Sequence, residues 1–227
     1  MTTPPVEPEA ALVVDALRPR RRQRGWVIFA RDVLVVVLIA IVVSVVVKTF
    51  LVRSFYIPSS SMENTLQVDD RILVDQITPR FGSYERGDVV VFRDPGGWLP
   101  VTQRPEQPAF VAAFDWALSI VGLSAPDSDD HLIKRIIGLP GDHVVCCNAV
   151  GQITVNDIPI DETAYLKLSD GETLASGDPF DVVVPNGSLW VLGDNRYRSR
   201  DSRYNTDQPG HGFVPLENVV GRAFIVT

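Results

Sequence analysis

The chain has 227 residues, of which 45% are hydrophobic and 22% are charged, and its formal net charge is -7. This length suits one sizeable domain with an anchor, or two small domains, and it excludes two full-sized domains. Residues 1–50 carry seven basic and four acidic side chains, whereas residues 51–227 carry 14 basic and 24 acidic ones. An acidic main part repels phosphate backbones, so the charge disfavours nucleic acid as a partner.

Residues 1–26 contain prolines and mixed charges without a clear period, and we predict a disordered basic tail there. The uncharged run from Val33 to Val47 follows, and if Lys48 snorkels it extends to a 20-residue span that ends at Val52. This length matches the hydrocarbon core of a bilayer, which predicts a transmembrane anchor over residues 27–52. A cleaved signal peptide would have a shorter apolar core, and a buried helix would need complete enclosure by a small domain.

The charges beside this run predict its orientation. Arginines crowd its N-terminal side, whereas the other side has only Lys48 and Arg53 close by. By the positive-inside rule, we predict a single pass with the N-terminus in the cytoplasm and residues 53–227 outside.

After the anchor, short β-branched runs are punctuated by Gly, Pro and Asp, which predicts an all-β domain over residues 53–227. The runs are DRILVDQI, GDVVVF, HLIKRIIG, DHVVCC, QITVND, DVVVP, SLWVLGD and GRAFIVT. We therefore predict a mainly β fold class with one N-terminal transmembrane helix. The sequence has no nucleotide-binding motif.

Two segments depart from this pattern. Residues 95–130 form a proline-bounded insert in which AFVAAFDWALSIVGL predicts a short helix, lying either on the bilayer interface or against the β domain. Residues 148–184 predict loops or a small subdomain, and the stretch DETAYLKLSDGETLASGDPFD within them carries little catalytic signal.

The two cysteines, Cys146 and Cys147, are adjacent. A zinc site needs more ligands at wider spacing, so we expect no metal and no other cofactor. Neighbouring strand residues point to opposite faces, which leaves two possibilities open: buried free thiols or a vicinal disulfide.

A serine nucleophile needs a base, and none of the three histidines lies in a recognisable triad context: His131, His143 and His211. Lys134 is the other candidate base. It lies in HLIKRIIG, where period-two alternation puts its side chain on the face of Leu132 and Ile136. An amine in apolar surroundings tends to lose its proton, which makes it a competent general base. The alternative is a lysine whose stem packs while its ammonium group reaches solvent.

The stretch IPSSSM places three consecutive serines shortly after the anchor. If the segment is extended, Ser59 and Ser61 share a face while Ser60 points the other way, so one hydroxyl can attack while its neighbour donates to an oxyanion. A serine-rich turn without chemistry is the alternative.

Four motifs in order, SFYIPSSSMENTL, GDVVVF, HLIKRIIGLPGD and LGDNRYRSRDSR, closely resemble those of the bacterial type I signal (leader) peptidases. The likeness runs from the anchor to the last predicted strand and excludes the tail and the insert. It implies a signal-peptidase β fold and a serine endopeptidase anchored in the bacterial cell membrane, with its catalytic domain outside.

The resemblance implies that Ser61 is the nucleophile and Lys134 its general base. The hydroxyl of Ser59 would join the backbone amide of Ser61 in the oxyanion hole. The sequence departs from the family pattern at Ser60, where glycine is frequent, and at Asn64, where proline is frequent.

The last motif implies four supporting residues. Ser199 matches the serine that hydrogen-bonds and orients the lysine, and Asp201 and Arg203 match a structural ion pair. Asp194 lies in the same motif.

The implied partners are the bilayer and pre-proteins whose signal peptides end in small residues of the Ala-X-Ala type. Ser61 follows Val52 by nine residues, about 30 Å of fully extended chain, so we expect the nucleophile near the outer leaflet.

Two other functions fit parts of the sequence. A self-cleaving, repressor-like protease would share the Ser/Lys pair on a related β fold, but such proteins are soluble and have no anchor. An anchored, non-catalytic β module that binds an envelope partner would leave Ser61 and Lys134 dispensable.

Overall fold

The computed structural model describes residues 21–50, 52–77, 82–100, 111 and 130–226. The predicted tail up to residue 20, and residues 101–110 and 112–129 of the predicted insert, lie outside this described part. The insert's predicted helix, residues 109–123, therefore lies outside it except for residue 111. The chain divides into two compact units, residues 1–44 and residues 45–227, which we describe separately.

Helix α1 spans Arg21–Phe50, and its segment Gly25–Val45 has a mean hydropathy of 2.7 with none of that window buried. These 21 residues rise about 32 Å, which is long enough to cross a membrane. The helix begins six residues before the predicted anchor and ends before Val52, which belongs to a strand. Arginine and glutamine are good helix formers, so the basic residues from Arg21 continue the helix although their charge suggested a tail.

The described residues beyond the helix form eleven strands. They are β1 (Val52–Tyr56), β2 (Arg71–Asp75), β3 (Val89–Arg93), β4 (His131–Gly138), β5 (His143–Cys146), β6 (Ile153–Val155), β7 (Ile158–Pro159), β8 (Phe180–Val183), β9 (Ser188–Leu192), β10 (Val214–Pro215) and β11 (Val219–Val226). Every β-branched run named above overlaps one of them. The predicted mainly β fold class is therefore confirmed.

Seven strands form one antiparallel sheet in the order β1-β2-β11-β3-β4-β9-β10. Strand β4 is an interior strand of this sheet, and its residues from Ile133 to Gly138 are all buried. Ile133 and Ile136 belong to two different apolar clusters, so the strand that carries Lys134 is covered on both faces.

A second sheet has the order β7-β6-β5-β8, and residues 148–184 supply three of its four strands. At the end of β5, a disulfide joins Cys146 to Cys147 across a cis peptide bond. Of the two possibilities that the sequence leaves open, the structure has the vicinal disulfide.

Candidate active site

The three serines lie in a capped turn directly after β1. Ser59 is extended (φ -120°, ψ 141°), and its hydroxyl oxygen accepts a hydrogen bond of 3.2 Å from the backbone amide of Ser61. Ser60, Ser61 and Met62 form one turn of 3-10 helix, so the segment is not extended throughout. The cap explains the difference, because a serine hydroxyl satisfies an amide that a helix start leaves without a partner. Ser61 is buried, whereas Ser59 is exposed.

Lys134 meets Ser61 inside the protein. Its Nζ lies 2.8 Å from the hydroxyl oxygen of Ser61 and also donates to the carbonyl oxygen of Ile133 at 2.8 Å. The residues are only 4% and 3% exposed, respectively. The ammonium group therefore does not reach solvent, contrary to the alternative interpretation of the lysine.

Burial changes the acid-base chemistry of this amine. Loss of hydration lowers the pKa of Lys134 from 10.5 to about 8, although the nearby carboxylates of Asp201 and Asp194 act in the opposite direction. A substantial fraction of the amine is therefore neutral at mildly alkaline pH. A neutral amine at hydrogen-bonding distance from a hydroxyl can remove its proton.

Asp194 is fully buried and anchors the strand of the lysine to the serine turn. Its carboxylate accepts two hydrogen bonds of 2.7 Å from Arg135, the neighbour of Lys134, and one of 2.5 Å from the hydroxyl of Thr65. The guanidinium of Arg135 also lies 4.0 Å from the ring centroid of Tyr165. A buried bidentate pair of this kind fixes geometry as well as charge.

Asp201 and Arg203 form a second buried ion pair. Arg203 donates to both carboxylate oxygens of Asp201 at 2.8 Å, and the backbone amide of Gly193 donates to the same carboxylate at 3.0 Å. The two side chains are 0% and 1% exposed, so this pair is not a surface pair.

Ser199 is buried next to Gly193, in the loop that also holds Asp194. A Cβ on Gly193 would collide with the Ser199 side chain and come within 2.6 Å of the carbonyl oxygen of Ser61, so glycine lets the loop approach the serine turn. Within the described part of the chain, the Ser199 hydroxyl has no hydrogen-bond partner. The bond to Lys134 that the resemblance implies is therefore not among the contacts of this structure.

Sequence reasoning missed several residues that support the serine turn. Asn195 donates its backbone amide to the carbonyl oxygen of Ser61 at 3.0 Å. From the stretch to which we assigned little catalytic signal, Glu162 forms a buried ion pair with Arg196, and Lys167 pairs with Glu63 at 3.0 Å. Buried charged residues need partners, so Arg135 in the apolar run HLIKRIIG was a usable signal. The identity of its partner depends on the tertiary fold.

A small groove lies between β1 and the start of β4, and its lining includes Pro58, which precedes Ser59, and Ile133, which precedes Lys134. It encloses a cavity of about 30 Å³ with mostly apolar walls. The lining residues are Phe55, Tyr56, Ile57, Pro58, Ile72, Val91, His131, Leu132 and Ile133.

Comparisons with known proteins match this chain over most of its length. The family model described as "Signal peptidase, peptidase S26" matches residues 30–227. Signal peptidase I of Mycobacterium tuberculosis (strain H37Rv) is 40% identical, covering 95% of this chain and 76% of that protein. Signal peptidase I U of Bacillus subtilis (strain 168) is 31% identical, covering 86% of this chain and 84% of that protein.

Among solved structures, a crystal structure of a signal peptidase I from Enterococcus faecalis V583 matches at 25% identity with a TM-score of 0.38, covering 62% of this chain and 96% of that one. The family model covers far more than half of the chain, and the Mycobacterium tuberculosis relative agrees with it over nearly the whole length. The chain belongs to the signal peptidase I family of serine peptidases, peptidase family S26.

Proposed function

We propose that this chain is a membrane-anchored endopeptidase that removes signal peptides from exported pre-proteins with a Ser61/Lys134 dyad. The observation that carries this proposal is the 2.8 Å separation between the lysine amine and the serine hydroxyl, both excluded from water. Membership of the signal peptidase I family supports the type of substrate.

In the proposed reaction, neutral Lys134 takes the hydroxyl proton as Ser61 Oγ attacks the scissile carbonyl carbon. The carbonyl oxygen becomes an oxyanion, which the backbone amide of Ser61 and the hydroxyl of Ser59 stabilise. In the unliganded protein these two groups bond to each other at 3.2 Å, so both donors already lie beside the nucleophile. The tetrahedral intermediate collapses as Lys134 gives its proton to the leaving amine, and the acyl-enzyme forms. Lys134 then takes a proton from water as the water oxygen attacks the ester carbonyl carbon. It returns this proton to Ser61 Oγ as the ester C–O bond breaks, which releases the new carboxyl terminus and restores the neutral amine.

The substrate would lie extended along β4. Residues 131–135 pair with β3 on one side, whereas β9 pairs with β4 only from Arg135 onwards. The opposite edge of residues 132–134 thus has no strand neighbour among the described elements, and an extended peptide can add to such an edge. The adjacent groove is small and mostly apolar, with a cavity of about 30 Å³, which supports a preference for small apolar side chains such as alanine near the scissile bond.

The apolar helix and the family indicate a membrane-anchored protein. For its orientation, we propose a single pass with the arginine-rich end of α1 in the cytoplasm and the β unit outside. The asymmetry of basic residues about the apolar run supports this orientation.

Single substitutions of the dyad test the proposal. We expect Ser61→Ala and Lys134→Ala each to abolish cleavage of a membrane-inserted pre-protein while the chain still folds and inserts. Ser60→Ala is the matched control, because it removes a neighbouring hydroxyl but keeps the backbone, and it should retain near wild-type cleavage. Processing at near wild-type rate by either dyad variant would refute the mechanism.

A further inference from the structure

The residue after Met62 connects the serine turn to a distant segment. One carboxylate oxygen of Glu63 accepts a hydrogen bond of 3.0 Å from Lys167 and one of 3.1 Å from the side-chain amide of Asn195. The three residues are far apart in sequence, so these contacts form only in the folded protein.

Asn195, in turn, binds the two peptide groups that flank the α-carbon of Ser61. Its side-chain amide donates to the carbonyl oxygen of Ser60 at 3.2 Å, and its backbone amide donates to the carbonyl oxygen of Ser61 at 3.0 Å. The residue is 3% exposed. The orientation of the turn therefore depends on which way the Asn195 side chain faces.

Glu63 determines that direction. A carboxylate only accepts hydrogen bonds, so the NH2 group of Asn195 must face it, and the second hydrogen of the same NH2 group is then available to Ser60. A flipped amide would place its oxygen against the carboxylate and leave the Ser60 carbonyl without this donor. The hydrogen bond from Lys167 is the main cause that lowers the pKa of Glu63, so it favours the charged carboxylate that accepts from Asn195.

Lys167 is itself fixed to the loop that carries Asn195. Its backbone amide donates to the carbonyl oxygen of Asp194 at 2.8 Å, and its carbonyl oxygen accepts from the amide of Arg196 at 3.1 Å. The contacts thus form a closed ring. It runs from the serine turn through Glu63 to Lys167, then to the Asp194–Arg196 loop and back to the turn.

We propose that Glu63 is a positioning residue for the reaction: by fixing the side-chain amide of Asn195, it holds the serine turn so that the Ser61 hydroxyl meets the Lys134 amine. The inference rests on the proposed function, since it assigns Glu63 an effect on the dyad. Glu63 itself does not contact the reacting atoms.

The test compares the full-length protein with Glu63→Ala, Glu63→Gln and Lys167→Met in a pre-protein cleavage assay that separates kcat from KM. Glu63→Ala should lower kcat roughly tenfold, the effect expected for one lost hydrogen bond to a charged group, and leave KM nearly unchanged. Glu63→Gln keeps an oxygen for Asn195 and should restore kcat to within about threefold of wild type. Lys167→Met should have a smaller effect than Glu63→Ala, because it leaves the bond between Glu63 and Asn195 in place.

Two further measurements and a control variant distinguish a positioning role of Glu63 from a role in stability or in the acid-base chemistry. The pH midpoint of activity should be the same in Glu63→Ala as in wild type, since Glu63 does not act on the charge of Lys134, and the melting temperature should fall by no more than a few degrees. Asp181→Asn, which removes an exposed pair with His143 on the other sheet, is the matched control and should behave as wild type.

Wild-type kcat in Glu63→Ala, a shifted pH midpoint, or a loss of rate explained by unfolding would overturn the positioning role. Ser61→Ala in the same assay tests the proposed Ser61/Lys134 dyad separately from the role of Glu63. If Ser61→Ala is inactive while Glu63→Ala cleaves normally, only the inference about Glu63 fails. If Ser61→Ala cleaves normally, the dyad fails and the inference fails with it.

Discussion

The side-chain nitrogen of Lys134 lies 2.8 Å from the hydroxyl oxygen of Ser61, although 73 residues separate the two in sequence. The lysine lies on the interior strand β4, and the serine lies in a turn that follows the edge strand β1 of the same sheet. Both side chains are buried, so the bond between them is shielded from competing water. This geometry gives the pair its proposed acid-base function.

Activity should rise with pH through the titration of Lys134. Only the neutral amine can accept the serine proton, and burial lowers its pKa to about 8, so kcat/KM should increase about tenfold per pH unit below 8 and level off above it. The measurement is the cleavage rate of a pre-protein between about pH 6 and 9. A flat profile over this range would contradict a titrating lysine base.

Ser59→Ala should lower kcat by about 10² to 10³, the usual effect of removing one oxyanion-hole donor. KM should change little, because the hydroxyl stabilises charge that develops only in the transition state. The substitution also removes the cap on the Ser61 amide, which should cost about 1 kcal/mol of stability. Ser59→Thr keeps the hydroxyl and serves as the control; an Ala variant as fast as wild type would exclude Ser59 from the oxyanion hole.

The groove between β1 and β4 should select small residues. Replacing alanine next to the scissile bond by phenylalanine should lower kcat/KM by at least tenfold, because a small apolar groove accommodates a methyl group more readily than a ring. Phe55→Leu shortens one wall of the groove and should recover part of the loss for residues of intermediate size, such as valine.

Phe92→Leu is the matched control for this variant, because Phe92 is also buried but belongs to another apolar cluster and does not line the groove. If both variants tolerate valine equally, or if neither changes the preference, the groove does not set the size of the accepted residue.

The sequence predicts the strands well because their signals are local. Runs such as HLIKRIIG and SLWVLGD combine β-branched residues with turn residues at both ends, and each contains a strand of the large sheet. Strands β1, β7 and β10 were not predicted. Strands β7 and β10 have only two residues each, and β1 begins at Val52, the last residue of the predicted anchor.

The contacts of the candidate site, unlike the strands, could not be predicted from local sequence patterns. Ser61 and Lys134 were identified through the resemblance of their motifs, since periodicity left each with an unreactive alternative. The contact between Glu63 and Lys167 spans 104 residues, and no local pattern marks either side chain as part of a site. Such contacts follow from the packing of the whole domain, so they require a structure.

A direct titration of the Lys134 amine tests the central claim. The chain has three lysines, Lys48, Lys134 and Lys167, so lysine labelled with 13C at Cε gives a simple spectrum in the detergent-solubilised protein. The resonance that disappears in Lys134→Met belongs to the proposed base. We predict that it titrates near pH 8, with the same midpoint as the cleavage rate. Titration at the ordinary value of about 10.5, or a cleavage rate that rises without it, would contradict the account.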